Sequence, residues 1–126
     1  MKVIVPAFTA CGFAIAGVSV PTSAQAQGWQ RITTEQQYRE RIVDRQILTT
    51  EGNRFTSHAD GRVTGEWSGQ QMVGGWQWHQ GFWCRNVRLG QNPETGTDCQ
   101  LVEIRGNDVR KTRNQGRGEA GIGTLQ

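Results

Sequence analysis

The chain has 126 residues, and its 14 Lys or Arg against 11 Asp or Glu give a formal net charge of +3. This balance, with no basic block, argues against a nucleic-acid-binding protein. Apolar residues make up 35% of the chain, and 17 glycines bring the total close to the half expected of a globular protein, which argues against disorder.

The segment 1–26 has the order of a secretory signal peptide. Lys2 precedes an apolar stretch at 3–20, and the segment ends in Ala24-Gln25-Ala26, an A-x-A cleavage pattern. A retained membrane anchor is one alternative, because the apolar stretch nearly reaches the length of a bilayer span. Lipidation at Cys11 is another, although the apolar stretch continues past that cysteine. We predict cleavage before residue 27.

The remaining segment, 27–126, has about 100 residues, which fits a single domain. It contains 12 Arg, one Lys and 11 acidic residues, spread along the chain as on a solvated surface. We expect a periplasmic or secreted monomer with no membrane attachment after cleavage.

Cys84 and Cys99 are the two cysteines that remain after cleavage, and an exported protein reaches an oxidising compartment. We therefore predict that they form a disulfide bond across one hairpin, a register that sets Phe82 opposite Leu101. A zinc site with the two histidines is the alternative, but the spacing matches no zinc finger. We expect no metal and no cofactor.

A short helix is predicted at the start of the domain. Thr34 and Gln37 have the spacing of a capping box, in which each side chain bonds a backbone N–H near the other residue. Tyr38, Ile42 and Val43 then fall on one helical face.

Seven short β-patterned segments follow the helix, separated by turn residues such as Ser68-Gly69 and Gln80-Gly81 that tolerate positive φ. The short spacings favour sequential antiparallel hairpins. We predict a mainly β fold, an antiparallel meander or small calycin-like barrel with one short N-terminal helix. The predicted strands are 47–50, 54–58, 63–67, 75–79, 82–89, 99–104 and 109–113.

The glycine-rich segment 114–123 is predicted to be a flexible tail. It contains a literal G-x-G-x-x-G at 116–121, but no βαβ unit surrounds it and the given sequence continues for only five residues beyond it. A dinucleotide site needs that context, so we do not predict one here.

Aromatic residues are densest at 75–85. Strand alternation puts Trp76 and Trp78 on one face of their strand. On the next strand it puts Trp83 and Arg85 on one face and Phe82 and Cys84 on the other. Most aromatic side chains of so small a domain belong to its core. The alternative is a binding surface, for which the candidates are Trp29, Trp67, Trp83 and Arg85.

The segment 75–85, together with Asp98-Cys99-Gln100-Leu101-Val102-Glu103 and the Arg-rich and Gly-rich segment 110–118, resembles a family of small secreted proteobacterial proteins of unknown function. Some similar proteins carry a dihydrodipicolinate reductase name, which would imply a cytosolic dinucleotide-binding enzyme. The chain departs from such an enzyme in its length, its predicted export and its lack of a βαβ pattern, so that activity is not carried over.

No motif for hydrolysis, phosphoryl transfer or metal catalysis is present, and we do not expect an enzyme. The first hypothesis is a binding or inhibitory module whose partner is a protein or a small apolar or sugar ligand. The second is a structural or envelope-stress protein without a ligand. An aromatic-lined concavity open to solvent would favour the first, and five buried tryptophans would favour the second.

Overall fold

The computed structural model describes residues 28–126 and, before them, residues 3, 12, 14, 16 and 17. The predicted cleavage site lies outside the described residues, as does most of the predicted signal peptide. Nine strands and two short helical segments make up residues 28–126. In chain order they are β1 (Gln30–Arg31), α1 (Glu35–Arg41), β2 (Gln46–Thr49), β3 (Arg54–Ser57), β4 (Arg62–Trp67), β5 (Gln70–His79), β6 (Phe82–Leu89), β7 (Asp98–Arg105), β8 (Asp108–Thr112), α2 (Arg113–Gly116) and β9 (Ala120–Leu125).

The strands form a closed antiparallel barrel. Each strand from β2 to β9 pairs with the next along the chain, and β9 pairs back with β2, which closes a ring of eight strands. The two-residue β1 pairs with residues 103–104 of β7, and β6 pairs with residues 98–100 of the same strand. The predicted mainly β fold is therefore confirmed, in its barrel form.

Two tight hairpins show how the sequence sets this topology. The β4–β5 turn is Ser68-Gly69 and the β5–β6 turn is Gln80-Gly81, and all four residues have positive φ. Two consecutive residues with positive φ are the pattern of a type I′ turn, whose twist matches that of the flanking strands. Short turns of this kind keep sequential strands adjacent, and a meander results.

Helix α1 covers one end of the barrel. The predicted capping box at Thr34 and Gln37 is present. Tyr38 and Ile42, one helical turn apart, are both 0% exposed. The ring of Tyr38 lies 5.3 Å from that of Trp76, whose indole N–H donates to the carbonyl of His58 in the β3–β4 turn. The end of the barrel that carries the β3–β4 turn is thus filled by aromatic and aliphatic side chains.

The predicted disulfide between Cys84 and Cys99 joins β6 to β7. Its two residues are directly paired, and the neighbouring pairs are Trp83 with Gln100 and Arg85 with Asp98, which is the predicted register. The bridge lies on the outer face of the barrel, since Trp83 and Gln100 are buried on the inner face. It ties together two strands that share only three residue pairs.

The prediction of a flexible tail at 114–123 is wrong. Residues 120–125 form β9, which pairs with both β2 and β8 and supplies the buried Leu125 to the core. The preceding glycine-rich segment is a tight turn in which Asn114 and Gln115 have φ of 53° and 56°. The many glycines obscure the alternation of β9, but backbone hydrogen bonds to two neighbours hold it as a strand.

Candidate functional site

A cavity of about 580 Å³ lies inside the barrel. We call it the inner cavity. It opens at the end opposite α1, where the β2–β3, β4–β5 and β6–β7 connections contribute Asn53, Ser68 and Thr95 to its lining. Below this mouth the walls are mostly apolar, because alternate residues of each strand point inward. The apolar wall residues include Ile47, Phe55, Met72, Val87, Leu89 and Val109.

A polar cluster of Arg85, Gln100 and Lys111 interrupts the apolar lining. The three side chains come from neighbouring strands β6, β7 and β8, each from an inward position. Gln100 is 7% exposed and Lys111 is 7% exposed, so both lie deep in the barrel. The inner cavity thus combines an apolar wall with one group of hydrogen-bonding and cationic side chains.

Lys111 is surrounded by aromatic rings. Its Nζ lies 3.2 Å from the ring centroid of Trp83 and 4.9 Å from that of Phe55. The same nitrogen donates a 2.9 Å hydrogen bond to the hydroxyl of Tyr38, which is also hydrogen-bonded to Ser57. No ion pair in the described part of the chain includes Lys111, so aromatic faces and one phenol are its protein partners.

Burial controls the protonation of the Lys111 amine and the Tyr38 phenol. Desolvation, and then the positive charge of Arg85, lower the pKa of Lys111 well below its ordinary value. Desolvation raises the pKa of Tyr38, opposed by the hydrogen bond with Ser57, so that the phenol stays protonated. A buried amine without a carboxylate partner favours its neutral form, since a lone charge is costly in a low-dielectric interior.

Asp98 organises the wall beside the polar cluster. Its carboxylate accepts hydrogen bonds from Gln100, from the guanidinium of Arg113 and from the backbone N–H of Asn114. Arg85 lies 3.8 Å away as a further cation. Burial alone would raise the pKa of Asp98, but these bonds and charges lower it instead. Asp98 therefore neutralises part of the charge of Arg85 and fastens the left-handed turn of α2 to β7.

Trp83 carries a buried polar atom without a hydrogen-bond partner. The residue is 3% exposed and lines the inner cavity, and its indole Nε1 has no hydrogen-bond acceptor among the described residues. Buried indole N–H groups usually find an acceptor. The orphaned N–H indicates an unmet hydrogen-bonding capacity in this part of the barrel.

The structure brings together three of the four candidate residues. Trp67, Trp83 and Arg85 all line the inner cavity. Trp29 does not, because it precedes β1 on the outer side of the barrel. Two guanidinium groups, those of Arg105 and Arg110, lie 4.4 and 4.5 Å from its ring.

Sequence reasoning missed Lys111 and Gln100, because polar residues in strands were assigned to the solvated face. One signal was available for Lys111. It is two residues after Val109 in a predicted strand, and alternation places both on the same face. It is also the one lysine after Lys2, in a chain that otherwise uses arginine for positive charge.

Among residues 28–126, no group of three or more His, Cys, Asp or Glu side chains has the arrangement of a metal site. Within the same part of the chain, no helix is long and apolar enough to cross a membrane. Comparison with known proteins gives no match to a family model, to a curated protein or to a solved structure. The resemblance to small secreted proteobacterial proteins therefore stays a prediction.

Proposed function

We propose that the domain binds a small, mainly apolar molecule inside the barrel. The observation that carries this proposal is the inner cavity, whose volume of about 580 Å³ lies within the usual range for small-molecule sites. Its mixture of apolar walls and a few convergent polar groups is also typical of such sites. A domain that needed its aromatic residues only for a core would bury them against one another and leave no such space.

The polar cluster indicates how the ligand is oriented. An apolar body would contact wall residues such as Met72, Val87 and Leu89, and a polar end would lie near Gln100 and Lys111. Burial of an apolar body contributes about 25 cal/mol per Å² removed from water, which is enough to drive binding of a molecule of this size.

An exported protein is consistent with this function. The signal-peptide pattern at 1–26 and the disulfide between Cys84 and Cys99 both favour a periplasmic or secreted location. We propose that the domain acts there as a monomeric binding protein without catalytic turnover. An inhibitory role toward another protein is less well supported, because the aromatic candidates line an interior space and not a protruding surface.

Binding of the fluorescent dye N-phenyl-1-naphthylamine tests the proposal. The dye is apolar and brightens when it leaves water, so a saturable increase is expected with the native protein. Leu89→Trp places a larger side chain at the cavity wall and should weaken dye binding about tenfold or more, since roughly 1.4 kcal/mol of lost contact gives that factor.

Arg88→Trp is the matched control. Arg88 is the exposed neighbour of Leu89 on the same strand, and it does not line the inner cavity. The control should bind the dye as the native protein does. Equal loss in both variants, or no saturable binding by the native protein, would contradict an internal site.

A further inference from the structure

Lys111 is chemically distinct from every other cationic side chain in 27–126. The other twelve are arginines, whose guanidinium groups stay protonated and are poor nucleophiles. A lysine amine becomes a nucleophile once it loses its proton, and a desolvated apolar site is the usual way to achieve this. The chain therefore places the one lysine of this segment at the inner cavity.

Lys111 contacts aromatic side chains and also borders the inner cavity. The indole of Trp83 covers one side of the amine at 3.2 Å, and the hydroxyl of Tyr38 accepts its hydrogen bond at 2.9 Å. Lys111 also lines the inner cavity, together with Gln100. A carbonyl group at the end of an apolar ligand would meet the amine from the cavity.

We propose that Lys111 holds its ligand covalently, by forming an imine with an apolar aldehyde bound in the inner cavity. This inference rests on the proposed function and adds the class of ligand to it. The nitrogen of Lys111 bonds to the carbonyl carbon, and a proton passes from nitrogen to the carbonyl oxygen. A second proton then passes from nitrogen to this oxygen, the C–O bond breaks, and the oxygen leaves as water as the C=N bond forms. One aldehyde and one amine give one imine and one water, and no oxidant or reductant is needed.

Two neighbours suit the proton movements. The hydroxyl of Tyr38 contacts the amine and is itself bonded to Ser57, so it can accept a proton from nitrogen and pass on its own. Ser57 can receive the proton that Tyr38 passes on, because the two hydroxyl oxygens lie 2.9 Å apart. Apolar walls limit water, which would otherwise hydrolyse the imine.

The charges around Lys111 also favour the neutral amine. The groups placed against the amine are the phenol of Tyr38 from α1 and the rings of Phe55 and Trp83, and the charge that acts on it is that of Arg85 from β6; none of these is anionic. The carboxylate of Asp98 in β7 is bonded to Gln100 and Arg113 instead. The acids that line the cavity, Glu51 and Glu119, belong to exposed residues at its mouth. The lowered pKa of Lys111 follows from this environment.

Reductive trapping tests the proposal on the full chain at pH 7. Decanal is the probe, decanol and decanoic acid are the matched ligands without an aldehyde, and cyanoborohydride reduces any imine to a stable amine. Tryptic mapping then separates Lys111 from Lys2 and the N-terminal amine, because trypsin does not cleave after a modified lysine. We expect the decyl adduct at Lys111.

Arg88→Lys supplies the control for non-specific reaction. It introduces an exposed amine on β6 outside the inner cavity, with an ordinary pKa. Each unit by which a pKa is lowered multiplies the neutral fraction about tenfold. Lys111 should therefore be modified at least about tenfold more than the introduced amine, and Lys111→Met should lose the adduct while it still binds decanol.

Dye displacement separates the failure of this inference from the failure of the proposed function. If decanol displaces N-phenyl-1-naphthylamine but decanal leaves Lys111 unmodified, covalent attachment is wrong and the binding function stands. The same conclusion follows if decanoic acid binds most tightly, since Lys111 then acts as a cation. If none of the three compounds displaces the dye, the proposed site for such ligands is wrong as well.

Discussion

Replacement of Lys111 by methionine should make the protein more stable at neutral pH. Methionine has a similar length and volume but carries no charge, and it also packs well against aromatic rings. Each unit by which folding lowers the pKa of Lys111 costs about 1.4 kcal/mol of stability at a pH below the lowered value, and methionine removes this cost. The lost hydrogen bond to Tyr38 offsets about 1 kcal/mol, and that hydroxyl keeps Ser57 as a partner. We expect a net gain of about 1–2 kcal/mol.

The gain in stability from Lys111→Met should become smaller as the pH rises. In the unfolded chain Lys111 titrates at its ordinary pKa of 10.5, and in the folded protein its pKa is lower. The unfolded state therefore binds more protons between these two values, and the stability of the native protein rises with pH in that window. The advantage of Lys111→Met should shrink by at most about 1.4 kcal/mol per pH unit there.

Urea denaturation of both proteins at pH 7 and pH 9.5 measures this difference. Tyr38 and all other titrating groups are common to the two chains, so their contributions largely cancel. Arg88→Met, which removes an exposed cation from β6, should leave the stability and its pH dependence nearly unchanged. A pH-independent difference between Lys111→Met and the native protein, or one that grows with pH, would refute a lowered pKa at Lys111.

Three further predictions concern the barrel wall. A Cβ at Gly74 would collide with the backbone of Asn86 and Val87, so Gly74→Ala should cost at least about 2 kcal/mol of stability in the same urea assay. At Gly75 the nearest atom would lie 3.4 Å from the added Cβ, so the control Gly75→Ala should change stability by less than about 1 kcal/mol. The double change Cys84→Ala and Cys99→Ala should lower the free energy of unfolding by about 3 kcal/mol, because the bridge closes a loop of 15 residues. Two reactive thiols in the denatured, unreduced native protein would rule out the bond. Asp98→Asn should cost about 2–3 kcal/mol at pH 7, because it leaves Arg85 without its carboxylate partner. The pKa of Asp98 is lowered by folding, so its contribution is present above about pH 4 and lost as the pH falls further; an unchanged difference between native and variant at pH 3 would contradict this.

The parts of the fold that depend on local chemistry could be predicted from the sequence. The capping box at Thr34 needs only residues three positions apart, and the turn at Gln80-Gly81 needs only a backbone with positive φ. The disulfide followed from the predicted export and the number of cysteines. Each of these features is determined by neighbouring residues or by one simple chemical constraint.

The features that depend on tertiary context were missed. The first half of β5 is rich in glutamine and glycine, so residues 70–74 carry little β signal and become a strand through pairing with β4 and β6. β9 is similar, since it pairs with β2 and β8 and its Gly123 packs against Ile47 and Leu48 of β2. Lys111 required knowledge that its strand closes a barrel, because a lysine in a half-buried strand normally points to water.

The seam between β2 and β9 joins the first strand of the barrel ring to the last, and it pairs Ile47 with Leu125. A chain that emerges with its N-terminal end first cannot complete the wall until β9 is released. Until then β2 and β8 each present an unpaired edge, which is a template for association with other chains. Contacts between such distant residues also make folding slow compared with a helical domain of equal size. The wall of the inner cavity can therefore close only after β9 has paired with β2.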